Sequence, residues 1–336
     1  MNRKSYIDPH LPLIDLHRHL DGSIRLETII ELAQEQGIDL PAYDVASLRP
    51  HVVIDGKADG LMDFIGRFHY LTAILHDLDA CRRVAYENVE DAQREGIDYI
   101  ELRFSPWFMS ETHGLDPAGV VDAVADGIIA AERDTGVRAQ MIGIMTRTYD
   151  TQTCHRELDA LLEHRDQLVA IDLAGDELKF SADLFREHFK RARDAGLEIT
   201  VHAGEVGGPE SVWSAIRELG ATRIGHGIRS LEDPALVDYL RQHRIGLEVS
   251  ITSNVHIGVV DDYVDHPVKR LLESGLLLNL NTDDPAISGI DLRHEYEVAA
   301  PKAGLDPAMT RQAQANALEM AFLADDEKQA LLERRS

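Results

Sequence analysis

LEITVHAGEVGGPESVWSAIRELGATRIGHG (residues 197–227) carries the repeat on which the fold turns. Its first eight residues form a short apolar run rich in β-branched side chains, the pattern of a buried strand. Twelve residues of helical pattern follow. Pro209 suits a first helical position, Val212, Ile216 and Leu219 lie on one stripe, and Gly220 stands where a left-handed residue ends a helix. TRIGHG (222–227) then begins another strand. The cycle recurs downstream as a helix opened by Asp233-Pro234 with Leu236, Val237 and Leu240 inward, the strand RIGLEVS (244–250), a helix from about 267 to 275, and the strand LLLNLNT (276–282).

The first half fits the same template. LPLIDLHRH (11–19), DYIELRF (98–104), RAQMIGIM (138–145) and LVAIDLAG (168–175) read as strands. Helical stretches lie at 80–95, 117–135 and 181–195, the last placing Leu184, Phe185 and Phe189 inward and stopping at Gly196. Eight strands alternating with helices imply parallel pairing through right-handed crossovers, and eight such units close into a (β/α)8 barrel of the TIM type. No low-complexity run or Gly/Ser/Pro-rich linker divides the chain, so residues 1–336 are expected to form one catalytic barrel domain. One interval is out of step: the first and second strands are separated by far more chain than a crossover helix needs. The pieces RLETIIELAQEQG and LMDFIGRFHYLTAIL inside it predict a helical insertion, about 20–97, beside the active-site mouth. That insertion either covers the site or adds a stabilising layer.

Composition narrows the function. Of 336 residues 44% are hydrophobic and 28% charged, as in soluble globular proteins. The net charge of −25 argues against nucleic acid or an anionic membrane surface as partner and favours a neutral or cationic small molecule. No run approaches the roughly eighteen apolar residues that span a bilayer, and the opening MNRKSYIDPH has no apolar segment behind it, so neither a membrane span nor a secretory signal is expected. Cys81 and Cys154 match no metal or redox spacing, which predicts a reduced, cytoplasmic setting and excludes deaminases whose zinc is held by cysteine. No obligate protein partner is evident.

In such a barrel the carboxyl ends of the strands face the active site. The first strand ends His17-Arg18-His19, the fifth Val201-His202, the sixth Gly225-His226-Gly227 and the eighth Asn281-Thr282-Asp283-Asp284. An H-x-H pair alone arises by chance in a chain with 16 histidines; four strand ends converging on one rim carry more weight. His17 and His19, two apart on a strand, project from the same face. With His202 and Asp283 they supply three imidazoles and one carboxylate, a set suited to zinc with an open position for water. The alternative is a group of polar plugs hydrogen-bonded in the mouth. Glu205, three residues after His202, could face that water without ligating the metal, and burial would raise its carboxyl enough to shuttle a proton. His226 could orient or deprotonate the same water. Asp284 directly follows Asp283, so the two cannot address one atom; it is either a substrate contact or a helix cap before Pro285.

LIDLHRHLDGSIR (13–25), ELRFSP (101–106), DLAGDE (172–177), TVHAGE (200–205), RIGHGI (223–228), ITSN (251–254) and NTDDP (281–285) occur in this order. Over about residues 9–330 the chain thereby resembles the adenosine deaminases of the amidohydrolase superfamily, the bacterial type most closely. The resemblance implies a barrel with one zinc per subunit that hydrolyses adenosine and 2′-deoxyadenosine to inosine or 2′-deoxyinosine and ammonia, in purine salvage. By motif match, His17, His19, His202 and Asp283 would hold zinc, with His19 also bordering the substrate. Glu205 would protonate N1 of the purine, and His226 would activate and position the hydroxide. Asp284 would contact N7, the Gly175 backbone N–H would reach N3, and Asp21 would hold the ribose. The fourth strand ends IDLAGDE with no lysine before Lys179, unlike relatives that bridge two metals with a modified lysine, so a single metal is implied. His69 in RFHYL and Ser250 before ITSN depart from the family's usual acidic residue and cysteine. Adenine, aminodeoxyfutalosine and AMP are the rival substrates. AMP is disfavoured because no phosphate-cradling loop is evident and the glycine-rich GEVGGPE (204–210) is flanked by acids. A barrel that only binds nucleosides would show a broken site, whereas every matched position is intact.

Overall fold

The computed structural model describes residues 5–58 and 61–335; the basic opening MNRK and positions 59–60 of the insertion lie outside the described residues. Eight strands run in chain order: β1 (Ile14–His19), β2 (Tyr99–Phe104), β3 (Arg138–Thr146), β4 (Leu168–Ala174), β5 (Glu198–Ala203), β6 (Arg223–His226), β7 (Gly246–Val249) and β8 (Leu278–Leu280). Each pairs in parallel with the next, from β1 through β8. With helices outside and the interior filled, the strands are buried on both faces, which is why they read as nearly continuous apolar runs. The fold is a (β/α)8 barrel.

The ring closes by a different device from the other seams. β1 meets the residues after β8 at one bridge, Arg18 opposite Asp283. There the His19 N–H donates to the Asp283 carbonyl and the Asp283 N–H to the His17 carbonyl, both at 2.8 Å. Side chains complete the seam. Asn281 Oδ1 accepts from the Leu16 N–H at 2.9 Å, and the Asp15 carboxylate takes the Thr282 hydroxyl at 2.6 Å. Arg18 forks onto Glu95 at 2.9 and 2.7 Å.

Among the described residues, four helices lie between β1 and β2: Leu26–Gln36, Val45–Val52, Leu61–Ala73 and Leu78–Glu95. The segment after the second rests on the barrel mouth, where the Ile54 N–H donates to Ile287 and the Ala58 N–H to His256, each at 2.8 Å. The Phe68 ring stands edge-on to Phe108, 5.7 Å between centroids, beside the short helix Pro106–Ser110 that follows β2. Leu78–Glu95 is capped by the Asp77 carboxylate on the Ala80 N–H and stops at left-handed Gly96. It packs on the helix Pro117–Thr135 so closely that a Cβ on Gly127 would lie 2.3 Å from the Arg82 carbonyl oxygen.

Two of the expected helices are modified. The 181–195 stretch is a 3₁₀ turn, Ala182–Phe185, followed by the helix Arg186–Asp194. The tighter turn rotates Leu184 outward to 50% exposure while Phe185 and Phe189 stay buried, which corrects the inward assignment of Leu184. The 209–220 stretch begins as the α-helix Pro209–Ser214 and loosens into a π turn, Ala215–Leu219, before left-handed Gly220. Leu236 and Leu240 are buried and Val237 partly so.

The main apolar core fills the space between strands and helices. A smaller cluster, with Ile14, Leu16, Tyr99 and Leu277, closes the opposite end under the helices Pro307–Met320 and Asp325–Glu333. The barrel interior itself is charged: Glu101, Arg103, Asp172, Arg223 and Glu248 are all buried. Both cysteines are free and buried. Among the described residues no helix is long and apolar enough to cross a membrane.

The Gly127→Ala variant is expected to lose about 1–3 kcal/mol of stability, because the added methyl meets backbone that cannot yield locally. A denaturant midpoint equal to the parent's would show that the two helices can separate without cost.

Candidate active site

The site begins below its own floor. Glu248 on β7 accepts His17 Nδ1 at 2.8 Å, Arg103 at 2.7 Å, Thr200 at 2.9 Å and Arg223 at 2.7 Å. Burial opposes its ionisation, yet the two guanidiniums and His17 hold its pKa well below the usual carboxylate range. The other fork of Arg103 reaches Asp172 on β4 at 2.9 Å, and Asp172 takes His202 Nδ1, also at 2.9 Å. Arg103 thus bridges the two carboxylates that hold His17 and His202 by their Nδ1 atoms. With Nδ1 engaged, each ring presents Nε2 to the mouth.

Four atoms able to ligate a metal meet there. His17 Nε2 lies 3.2 Å and His19 Nε2 3.3 Å from Asp283 Oδ1, and His19 Nε2 lies 3.2 Å from His202 Nε2. Atoms held about 2.0–2.1 Å from a tetrahedral zinc stand about 3.3 Å apart, so these spacings fit that ion. His17 Nε2 is buried without a hydrogen-bond partner, and a cation would give it one. Burial lowers the pKa of His19 and His202 and so favours the neutral, ligating form. His226 also belongs to the cluster: its ligand atom and those of His17, His202 and Asp283 all lie within 4.8 Å of one another. That set leaves out His19, whose Nε2 lies 3.3 Å from Asp283 Oδ1, while His226 Nε2 faces the other oxygen, Oδ2, at 3.8 Å.

Two of these residues sit in strained backbone, His226 at φ 62° and Asp283 at φ 64°, the left-handed region that favours glycine. Gly225 leaves room for the cluster, since a Cβ there would come within 3.0 Å of the His17 ring.

The loop after β5 brings in Glu205. Glu177 of the DLAGDE motif fixes that loop by accepting the N–H groups of Gly204, Glu205, Val206 and Gly207, at 3.0, 3.1, 2.5 and 2.5 Å, and the Ser211 hydroxyl at 2.7 Å. The Glu205 carboxyl accepts from Asn254 Nδ2 at 3.0 Å and lies 3.5 Å from His226 Nδ1. Burial first, then the charges of Asp283 and Glu177, push its pKa well above the ordinary value. Asp284 is pushed the same way by burial and by Asp283, Asp21 and Glu205. Its side chain makes no capping hydrogen bond to the helix Pro285–Ser288, which corrects the cap reading, and its Oδ1 is buried without a partner. That oxygen occupies the space a Cβ on Gly22 would take, at 1.7 Å. Asp21 is buried, which raises its pKa to about 7, and lies 3.8 Å from His19 Nδ1. Gly175 follows β4 at φ 100° and is exposed at the mouth.

The motif reading named the residues at the rim and missed those beneath and behind them: Arg103, Asp172, Glu248, Glu177 and Asn254. A charged residue inside an otherwise apolar strand, as in ELRF, IDLA and LEVS, was the available signal, because such a charge is buried only with partners.

The family model for adenosine deaminase matches residues 12–335. An adenosine deaminase of Edwardsiella ictaluri is 57% identical over 325 residues, covering 97% of this chain and 98% of its own, and one of Vibrio cholerae is 57% identical over 326 residues with the same coverage. Among solved structures, an adenine deaminase from Arthrobacter aurescens superposes with a TM-score of 0.90 at 28% identity, covering 97% of this chain and 98% of its own. An amidohydrolase from Burkholderia ambifaria with bound Zn superposes at 0.87 and 27% identity, covering 97% and 90%.

Replacing Glu248 with Gln strips the negative charge from beneath two buried guanidiniums and His17. The variant is expected to lose about 3–5 kcal/mol of stability and about 10–100-fold in metal affinity, read by denaturation and by competition with a chelator. Parent-like values in both would mean the carboxylate does not hold the cluster.

Proposed function

The chain belongs to the adenosine deaminase family, and from that premise we propose that it hydrolyses adenosine and 2′-deoxyadenosine to the corresponding inosine and ammonia, with one zinc held by His17, His19, His202 and Asp283. The observation that carries the reading is the opposite tuning of neighbouring carboxyl groups. Burial opposes ionisation of Asp283, but His226, His17 and His19 outweigh it and lower its pKa, while burial and nearby acids raise those of Glu205 and Asp284. Groups tuned apart in one pocket mark the division between ligand and acid.

Zinc, when bound, lowers the pKa of water toward about 7 and so makes a nucleophile available at neutral pH. The chain's own residues do the rest. C6 of the purine is a poor electrophile until N1 is protonated. Glu205 delivers that proton as the water oxygen bonds to C6, a contribution of about 10²–10⁴-fold for a well-placed acid. The C6–N bond then breaks: the amino group takes one proton of the added water and leaves as ammonia, the other returns to Glu205, and the oxygen stays on C6 as the carbonyl. His226 orients the attacking oxygen. Asp284, protonated, offers an O–H to the N7 lone pair, which would give its partnerless carboxyl a hydrogen bond. The Gly175 N–H reaches N3, His19 borders the sugar side, and Asp21 holds the ribose; that last contact favours the nucleoside over free adenine. A neutral substrate also meets no repulsion from a chain of charge −25. The two buried free thiols support work in the reducing cytoplasm.

Removing zinc is expected to abolish the ultraviolet change that accompanies deamination, and restoring zinc to recover it. Full activity in a sample verified metal-free would overturn the assignment. Across a purine panel, kcat/KM should be higher for adenosine than for adenine; the reverse would move the chain to the adenine branch.

Glu205→Gln should retain zinc and lose about 10²-fold or more in kcat. Because the protonated form of Glu205 is the active one and its pKa is raised, kcat/KM should fall on the alkaline side as that proton leaves. A pH profile flat through that region would remove Glu205 from the acid role.

A further inference from the structure

A line of hydrogen bonds with a fixed direction runs into the site from outside it. It starts at the Val268 backbone N–H, which donates to His266 Nδ1 at 3.1 Å. A backbone N–H can only donate, so His266 Nδ1 must accept, and the proton of the neutral ring sits on Nε2. A doubly protonated ring is out of reach, because burial drives the His266 pKa down to about 3. His266 Nε2 lies 3.1 Å from Asn254 Oδ1 and therefore donates to it. That contact settles which end of the amide is which, since the carbonyl oxygen faces His266 and the NH₂ group faces the site.

The two Asn254 N–H groups then have one target each. One reaches Glu205 Oε1 at 3.0 Å and the other His226 Nδ1 at 3.2 Å. His226 Nδ1 must accept, so its proton sits on Nε2, the nitrogen that faces Asp283 and the mouth. Glu205 Oε1 is likewise an acceptor, which leaves Oε2 to carry the acid proton. Asn254 is fully buried in the short helix Ile251–His256, whose first N–H groups are anchored on the Glu295 carboxylate at 3.0 and 3.1 Å, so the amide has a rigid mount.

We propose that Asn254 and His266 form a positioning pair that fixes which nitrogen of His226 carries its proton and which oxygen of Glu205 is left to act as the acid. The inference rests on the roles given to His226 and Glu205 under the proposed function. Neither member of the pair touches the reacting atoms. Through them His226 presents an N–H to the attacking oxygen, so it orients by donating rather than waiting as a free base. The polarity of the whole line is set by one peptide group, that of Val268, on an element separate from those that carry His226 and Glu205.

The test reads the tautomer directly. In the zinc-loaded full-length protein labelled with ¹⁵N-histidine, long-range proton–nitrogen spectra should show His226 protonated at Nε2 and bare at Nδ1, its signals assigned by their loss in His226→Gln. Asn254→Asp offers only acceptors and should move the His226 proton to Nδ1. His266→Phe removes the donor that holds the amide, whereas His266→Gln keeps an N–H able to replace it. Both Asn254→Asp and His266→Phe are expected to lower kcat about tenfold or more with KM within about twofold, and His266→Gln to regain much of the loss.

A parent spectrum with His226 protonated at Nδ1 overturns the proposal, and it needs no variant to fold. So does a parent-like kcat in zinc-replete His266→Phe. The spectrum is taken without turnover, so failure of the acid assignment, seen as parent-like turnover by Glu205→Gln, remains a separate result.

Discussion

One carboxylate at the centre of the barrel, Glu248, accepts from His17, Arg103, Thr200 and Arg223, and the rest of the site is built on it. The two arginines pass the connection on, Arg103 to Asp172 and through it to His202, Arg223 to Glu101 at 2.5 Å. Buried charge of this density is tolerable only when every member is satisfied; a missing partner leaves a desolvated charge that nothing offsets. A (β/α)8 barrel commonly fills its axis with branched aliphatic side chains. Here that packing gives way to ionic contacts, and in exchange two imidazole rings are held in fixed orientation, each by a charge rather than by shape alone.

The same low dielectric sorts the carboxyl groups above it. Three histidines pull the pKa of Asp283 down against its burial; burial, reinforced by nearby acids, pushes those of Glu205 and Asp284 up. Burial acts against ionisation of all three, so their neighbours decide the outcome. One pocket thereby favours the anionic form of one carboxyl group and the neutral form of two others, without separate compartments for them.

Much of this was legible in the sequence. All eight strands fall where short, mainly apolar runs end in turn residues, because a strand buried on both faces admits a charge only where partners meet it, and the rim residues stand at the strand ends because that is where side chains leave the packed interior. What escaped the sequence is of three kinds. Leu184 turned outward because a 3₁₀ turn shifted the helical phase, a local choice that apolar periodicity does not encode. Asp284 stood open between a substrate contact and a cap, because Asp-Pro commonly opens helices; only the fold shows its carboxyl making no cap and lying in the space left by Gly22. Glu177 and His266 reach the site through space from a turn and a loop, and Asn254 from a short helix, and no spacing rule links them to His226 or Glu205. The left-handed φ of His226 and Asp283 is equally silent, since neither residue type announces it.

The edge where the barrel closes has a consequence of its own. Elsewhere neighbouring strands are joined by a ladder, but between first and last the stitching is two peptide hydrogen bonds contributed by His17, His19 and Asp283, helped by a few side chains. Three of the four residues proposed to grip the ion thus also form, through their backbone, the zipper of the cylinder. Prising that edge apart dismantles the grip, and filling the grip draws the edge shut, so heat and chelation attack this molecule at one and the same place.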